Sequence, residues 1–434
     1  MEPPRRSVPP SVAGPVDDEA AFTPGPSNAA PATHEAAPIP PFGADLASDR
    51  PKSLHPSHAD GAEGPPWFQV GPDRVRLLRD GVEAFPAMLR AIAGAEREIL
   101  LEMYWIGADP VGERFRNALA ERARAGVRVL VIHDAVGSIG ITPGWWRPVT
   151  DAGGRVAEYH SVSPFDPRFR IERIELRDHR KVLVVDRTRG FTGGINLAAP
   201  WLPPIDGGAG WRDDMIELLG ETTAELRTLF YRTWRKLTGD AAPSDVRPLS
   251  RRRTRAVWVL ASQWRTRRSM HREYVRRIGH ARERVDIANS YFVPDRRVRG
   301  ALFRAVLRGA HVRVLVSSKS DVPVVQFAVE ALFDTLLRHG VEIWALPRTM
   351  LHAKTAIIDD QFTTIGSYNL DERSWRKNLE LNLAVEDQEF ARHVRSWYER
   401  DLASAMRIDL KTWRQRSLGR RGFEWAAFAM RRLW

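Results

Sequence analysis

Two histidines, His179 and His352, each stand two residues before a lysine, Lys181 and Lys354. An aspartate follows seven residues after each histidine (Asp186, Asp359). Small residues follow at fourteen and fifteen (Gly193-Gly194, Gly366-Ser367), and an asparagine at seventeen (Asn196, Asn369). Five matched offsets recurring 173 residues apart point to one unit used twice, each copy supplying half of a site. The chemistry these residue types suit is phosphoryl transfer. Lysine ammoniums and asparagine amides donate to non-bridging phosphate oxygens and stabilise the charge that builds in the transition state. One imidazole can attack phosphorus while the other protonates the leaving alkoxide and then deprotonates the next acceptor. An unperturbed imidazole changes charge near neutral pH, which suits both tasks. The glycines would let the backbone approach the phosphate closely, and Ser367 adds a hydroxyl donor. The cationic side chains supply the charge, so no metal or other cofactor is expected. A two-histidine metal site is disfavoured because a lysine sits beside each histidine and no carboxylate cluster accompanies them.

Strands must present these groups. The period of two along a strand puts His179 and Lys181 on one face, and likewise His352 and Lys354, ahead of apolar runs over 182–185 and 355–358. The first copy is preceded by strand and helix patterns at 75–78, 84–95, 99–106, 111–125, 127–132 and 156–159. It is followed by a strand over 211–218 and a helix over 222–237. The series restarts with a strand at 257–260 and a helix at 270–281, then a strand at 285–292 and a helix at 296–309. It continues with strand 312–316, helix 324–338, strand 341–346, strand 379–385 and helix 388–404. The shared order supports an internal duplication. The expected fold is α/β: two pseudo-twofold-related α/β/α units, each with a central mixed, mostly parallel sheet flanked by helices. The units are placed at 65–238 and 257–410, joined by a basic linker over 239–256.

Half of the 30 prolines lie in residues 1–66, and 1–64 reads as a disordered Pro/Ala-rich tail, either inert or a docking arm. That stretch to 66 holds four Lys/Arg against nine Asp/Glu. The net charge of +12 therefore leaves +17 on the remainder. A basic body suits nucleic acid, anionic headgroups or phosphorylated substrates. The absence of cysteine excludes disulfides and thiolate metal sites. No run reaches the roughly 18 apolar residues of a spanning helix, and no secretory signal is visible. The expected location is cytoplasmic, with membrane contact from the surface. In 411–434, a basic segment, Phe423, Ala426, Ala427, Met430 and Trp434 share a helical face flanked by Arg420, Arg421, Arg431 and Arg432. That face suits either a headgroup layer or packing on the parent unit.

The doubled string His-x-Lys-x4-Asp-x6-Gly-Gly/Ser-x-Asn resembles the HKD signature of the phospholipase D superfamily, intact in both copies. The flanks LRDGVEAFPAMLRAI, EMYW and AGVRVLVIHDAVGS, the Trp211-Arg212-Asp213 element, Tyr291 to Pro294 and SYNLDERSWRKNLELNL are similar to its cardiolipin synthase branch. The likeness covers about residues 67–434. It implies phosphatidyl transfer from phosphatidylglycerol to a second phospholipid through a phosphohistidine, on the cytoplasmic side of an anionic membrane surface. No specific nucleic-acid partner is implied, and the oligomeric state is left open. By this resemblance His179 is the nucleophile and His352 the acid/base. Lys181, Lys354, Asn196, Asn369 and Ser367 hold phosphate beside Gly193, Gly194 and Gly366, while Glu380 and Asp213 orient the histidines. Asp186 and Asp359 belong to the catalytic signature but sit at the far ends of their strands, where charge-pairing roles are expected. Glu102, inside a strand, is either a supporting acid or a satisfied core acid. Many bacterial members carry two N-terminal spanning helices where this chain has its Pro/Ala-rich stretch, so it resembles the shorter members. The rival readings are a hydrolytic phospholipase D, a metal-independent phosphodiesterase acting on nucleic acid, and a non-enzymatic membrane module.

Overall fold

The computed structural model describes residues 64–166, 169–246, 256–262 and 267–431. The tail expected over 1–64 therefore falls outside the described residues except for Gly64, as do much of the linker and the residues Arg432 and Trp434. The described chain builds two eight-stranded sheets, one from strands between Phe68 and Leu219, the other from strands between Val257 and Arg407.

Each motif strand lies mid-sheet. Lys181–Val185 runs antiparallel to Glu98–Met103 on one side and to Arg189–Gly193 on the other. Lys354–Ile358 lies likewise between Arg284–Asn289 and Phe362–Gly366. Beyond Glu98–Met103, Arg128–Asp134 and Arg155–Tyr159 add in parallel. Beyond Arg284–Asn289, His311–Ser317 and Glu342–Leu346 do the same. Seven strands thus match in order between the sheets, each of which has one extra strand at an edge. Even the crossover helices start alike. Asp109 caps Pro110–Arg124 through the N–H groups of Val111 and Gly112, and Asp295 caps Arg296–Leu307 through those of Arg297 and Val298.

The sheets are mixed as expected, but they are not mostly parallel. Only the three-strand stretches joined by helical crossovers are parallel; every other pairing is antiparallel. The strands Arg189–Gly193 and Phe362–Gly366, which complete hairpins with the motif strands, were not foreseen. A three-residue connection cannot make a parallel crossover. The turn uses positive φ at Asp186 (47°) and Arg187 (68°), and at Asp359 (54°) and Asp360 (49°). Asp tolerates this region better than most residues. One expected helix, 324–338, is two shorter ones, Pro323–Glu330 and Phe333–Arg338.

The inner faces of both sheets share one core. Val182 and Val184 from the first and Ile357 and Leu383 from the second meet there, with the helices Thr223–Thr238 and Gln388–Ala403 contributing Phe230, Trp234, Phe390 and Trp397. The outer faces are covered separately. Motif strands buried on both sides explain why they read as continuous apolar runs. The C-terminal helix Leu418–Ala429 packs on Pro323–Glu330, with Ala427 buried and Phe423 edge-on to Phe327 at 4.8 Å. Leu418, Phe423, Trp425 and Met430 nevertheless stay exposed, so the helix both docks and presents apolar surface.

Candidate active site

The two halves are stitched together beside each histidine. The His179 N–H donates to the Leu379 carbonyl (2.9 Å), and the Leu379 N–H donates to Arg177 (2.9 Å). In mirror fashion, the His352 N–H donates to Arg212 (2.7 Å), and the Arg212 N–H donates to Met350 (2.9 Å). One residue further along each stitching segment is an acid, and the pairing therefore crosses. The His179 imidazole donates from Nδ1 to Glu380 of the second half (3.0 Å), and that of His352 donates to Asp213 of the first (2.7 Å). Each carboxylate fixes a tautomer that leaves the Nε2 lone pair for the site.

The lysines are buried at the base. Lys181 donates to the His179 carbonyl (2.7 Å) and lies over the Tyr104 ring at 4.8 Å. Lys354 donates to the His352 carbonyl and to Ser290 (2.9 Å). The asparagine carbonyls are occupied: Asn196 accepts from the Trp105 N–H (3.1 Å), and Asn369 from the Ser290 hydroxyl (3.2 Å). Both side chains line the same pocket of about 310 Å³ as His179 and His352. Six of the expected groups, both histidines, both asparagines and the two orienting acids, therefore gather at the junction of the halves.

Others of the expected set sit elsewhere or do something else. Ser367 is not among the residues that line the pocket. Its hydroxyl donates to Glu380 (2.5 Å) and accepts from the Leu381 N–H (3.1 Å), so it positions the acid. The glycines make room for the acid-bearing strands rather than for a ligand. A Cβ at Gly193 would lie 2.4 Å from the Asp214 carbonyl, at Gly194 2.1 Å from the Asp213 carboxylate, and at Gly366 2.2 Å from Asn382. Where the first half has Gly194 with Asp213, the second has Ser367 with the longer Glu380. In the first half the Trp201 indole N–H (2.9 Å) supplies the donor that Ser367 supplies in the second. Asp186 and Asp359 lie at the far ends of the motif strands and, among the described residues, make no charge pair there. Asp186 accepts from the N–H groups of Glu96, Arg97 and Glu98 (2.7–3.0 Å). Asp359 does so from Arg282, Glu283 and Arg284 (2.9 Å each). They fasten the loop that leads into the neighbouring central strand. Glu102 is paired with Arg180 (3.0 Å), one residue from His179, and so supports the motif from behind.

Sequence reasoning missed several neighbours. Trp201 and Trp211 pack on His352 at 5.3 and 5.6 Å, and Tyr104 on His179 at 4.8 Å. Asp134 accepts from the Asp178 N–H (2.8 Å) and from those of Val136 and Gly137, ordering the approach to His179. The Trp clusters were visible in the string but carry no spacing that ties them to a histidine across the fold.

Burial dominates the electrostatics. It lowers both imidazoles, His352 well below its ordinary value because Lys354 and Lys181 add to the effect, while Glu380 opposes the shift at His179. Burial brings Lys181 down to about 7 and Lys354 to about 8. It raises Asp213, against the pull of Lys354 and Trp201. Burial would raise Glu380 too, but His179, Lys181 and Ser367 hold it below its ordinary value. The arrangement offers two neutral imidazoles, cations poised to gain charge when a phosphate arrives, and one firmly ionised carboxylate.

Residues 274–402 match the family model described as "Cardiolipin synthase, PLD-like domain". Cardiolipin synthase A of Pseudomonas aeruginosa is 34% identical over 338 residues, covering 77% of this chain and 68% of the relative. Cardiolipin synthase 2 of Bacillus anthracis is 31% identical over 356 residues, covering 80% and 68%. Among solved structures, the phosphatidylserine synthase of Haemophilus influenzae Rd KW20 superposes with a TM-score of 0.60 at 13% identity, over 85% of this chain and 95% of that one. The polyphosphate kinase of Porphyromonas gingivalis gives 0.55 at 15%, over 78% and 49%. At such identities these two likenesses concern the fold alone.

Proposed function

The chain belongs to the cardiolipin synthase family and is a phosphatidyltransferase of the phospholipase D superfamily, and we propose that it makes cardiolipin through a phosphatidyl-histidine formed on His179. Phosphatidylglycerol is the donor. Its phosphate sits between Lys181, Lys354 and the amides of Asn196 and Asn369. The Nε2 atom of His179 bonds to phosphorus as the P–O bond to glycerol breaks, and His352 gives its proton to the departing alkoxide. A second phospholipid's headgroup hydroxyl then loses its proton to His352 and attacks phosphorus, and the N–P bond breaks to release His179.

The observation that carries this reading is the crossed pairing of each histidine with the other half's carboxylate at one pocket. The two pairs are unequal in a way that suits the assignment. Glu380, held ionised, stabilises the positive charge that His179 acquires on bonding to phosphorus. His352, neutral in the free site, takes up a proton as the anionic phosphate binds, and Asp213, reluctant to ionise, leaves that imidazolium ready to give the proton up.

The basic body and the exposed rings of Leu418–Ala429 support peripheral attachment to the cytoplasmic face of an anionic membrane. Among the described residues no helix is long and apolar enough to cross a membrane. In a host lacking its own synthases, wild type is expected to restore cardiolipin and His179→Ala is not. Equal cardiolipin in the two lipid extracts would overturn the proposal.

A further inference from the structure

A second cleft, of about 600 Å³, opens between the start of the helix Arg296–Leu307, the short helix Glu372–Arg376 and the C-terminal helix Leu418–Ala429. It adjoins the catalytic pocket: Glu372 and Arg431 line both. Glu372 is three residues beyond Asn369, so the two cavities meet just past the phosphate-facing amide.

The cleft is crowded with cations. Arg296, Arg297, Arg299, Arg376 and Arg431 line it, against the carboxylates of Asp295 and Glu372. Asp295 is already engaged, capping its helix through the N–H groups of Arg297 (3.1 Å) and Val298 (2.9 Å) and facing His271 at 3.1 Å. Glu372 is shared, 3.6 Å from both Arg376 and Arg431. Arg299 is half-buried and lowered in pKa by burial and by Arg431 and Arg296, with Asp295 opposing. Like charges held this close are stabilised by an anion between them. The opposite wall is aromatic: Arg376 lies over Trp375 at 4.5 Å, Arg431 over Phe428 at 4.3 Å, and the exposed Trp425 stands edge-on to Phe428 at 5.5 Å. Guanidinium forks match phosphate oxygens, and the rings offer apolar contact to the glyceryl and acyl parts of the same molecule.

We propose that this arginine–aromatic cleft seats the phosphodiester of the acceptor phospholipid, placing its headgroup hydroxyl over the phosphorus held by His179. The proposal rests on the phosphatidyl-transfer reading above. The catalytic pocket has donors for the phosphate under attack. Cardiolipin contains a second phosphodiester, one glycerol bridge away, whose charge must also be met. In the resolving step the acceptor oxygen bonds to phosphorus, the N–P electron pair returns to His179, and the hydroxyl proton passes to His352. The cleft takes no part in that bond exchange; it raises the local presence of a lipid acceptor over water or a small alcohol.

The test is competition between acceptors on phosphatidylglycerol vesicles containing a fixed excess of ethanol. Phosphatidylethanol reports capture of the intermediate without the second phosphate, and cardiolipin reports capture with it. In the double variant Arg299→Gln, Arg376→Gln, the cardiolipin-to-phosphatidylethanol ratio is expected to fall about tenfold. Glycerol release, one per intermediate whichever acceptor resolves it, should stay at the wild-type level, and Arg299→Lys with Arg376→Lys should recover part of the ratio. An unchanged ratio would overturn the proposal, and so would an equal loss of both products. If wild type forms phosphatidylethanol and no cardiolipin, the synthase reading itself fails and the acceptor site with it.

Discussion

At the scale of the residue, the site is an exchange between two copies of one motif. The His and Lys positions were legible because their spacing along a single strand is fixed by the backbone. Their partners were only half legible. Glu380 and Asp213 could be named from resemblance, but that each serves the other copy's histidine depends on how two distant segments bridge. Replacing Glu380 by Gln or Asp213 by Asn is expected to leave the protein folded while lowering kcat about 100-fold or more, since the imidazole loses both its tautomer and its charge partner. The Gly194/Asp213 and Ser367/Glu380 pairs invite a swap. Gly194→Ser alone drives a side chain into the Asp213 carboxylate and should abolish activity and lower Tm. The lysines set the alkaline side of the pH profile. Binding an anionic lipid needs them charged, and they lie at about 7 and about 8 in the free site. Thus kcat/KM should fall as pH rises through 7 to 8. A bound phosphate raises both, so the corresponding limb of kcat should lie at higher pH.

At the scale of the element, the helical crossovers were readable from apolar periodicity, whereas the hairpins were not. Arg189–Gly193 and Phe362–Gly366 are short, carry Gly and Thr, and lack the alternation that marks a strand with one wet face, because both of their faces are covered. That omission produced the excess of parallel pairing expected from the sequence. It also hid what Asp186 and Asp359 do, since their roles follow from the turn. Asp186→Ala removes the acceptor for three backbone N–H groups. It should cost about 1–3 kcal/mol of stability, read by thermal or denaturant unfolding, with KM for phosphatidylglycerol little changed. A phosphate-binding aspartate would instead show its loss in KM.

At the scale of the whole molecule, the halves share a core and a buried ion network. Asp401 joins Arg79 (2.7 Å) and Arg212 (2.9 Å) across the halves, Arg212 also holds Asp214 (2.7 Å), and Thr355 donates to Asp214 from the second half (2.6 Å). Asp401→Ala leaves the buried Arg79 guanidinium without its carboxylate and takes one of the carboxylates from Arg212, and should cost about 3–5 kcal/mol. Burial would raise Asp401, yet the two arginines hold it below its ordinary value. Its contribution is therefore complete above the unfolded carboxylate pKa and is lost as pH falls through the lower folded value, so wild type and variant should converge in stability in strong acid. None of this network was legible in the sequence, because a charged residue in a helix such as Gln388–Ala403 reads as solvent-facing until its neighbours are known.

The most direct measurement is to trap the covalent intermediate. Wild type, incubated with phosphatidylglycerol labelled at its phosphorus and rapidly quenched in alkali, should carry label on the peptide containing His179 and on no other, and His352→Ala should carry little label and release little glycerol, because the departing alkoxide then lacks its proton donor. Label on a different residue, or none in a variant that still consumes donor, would contradict a site in which His179 forms the bond and the second half supplies its proton.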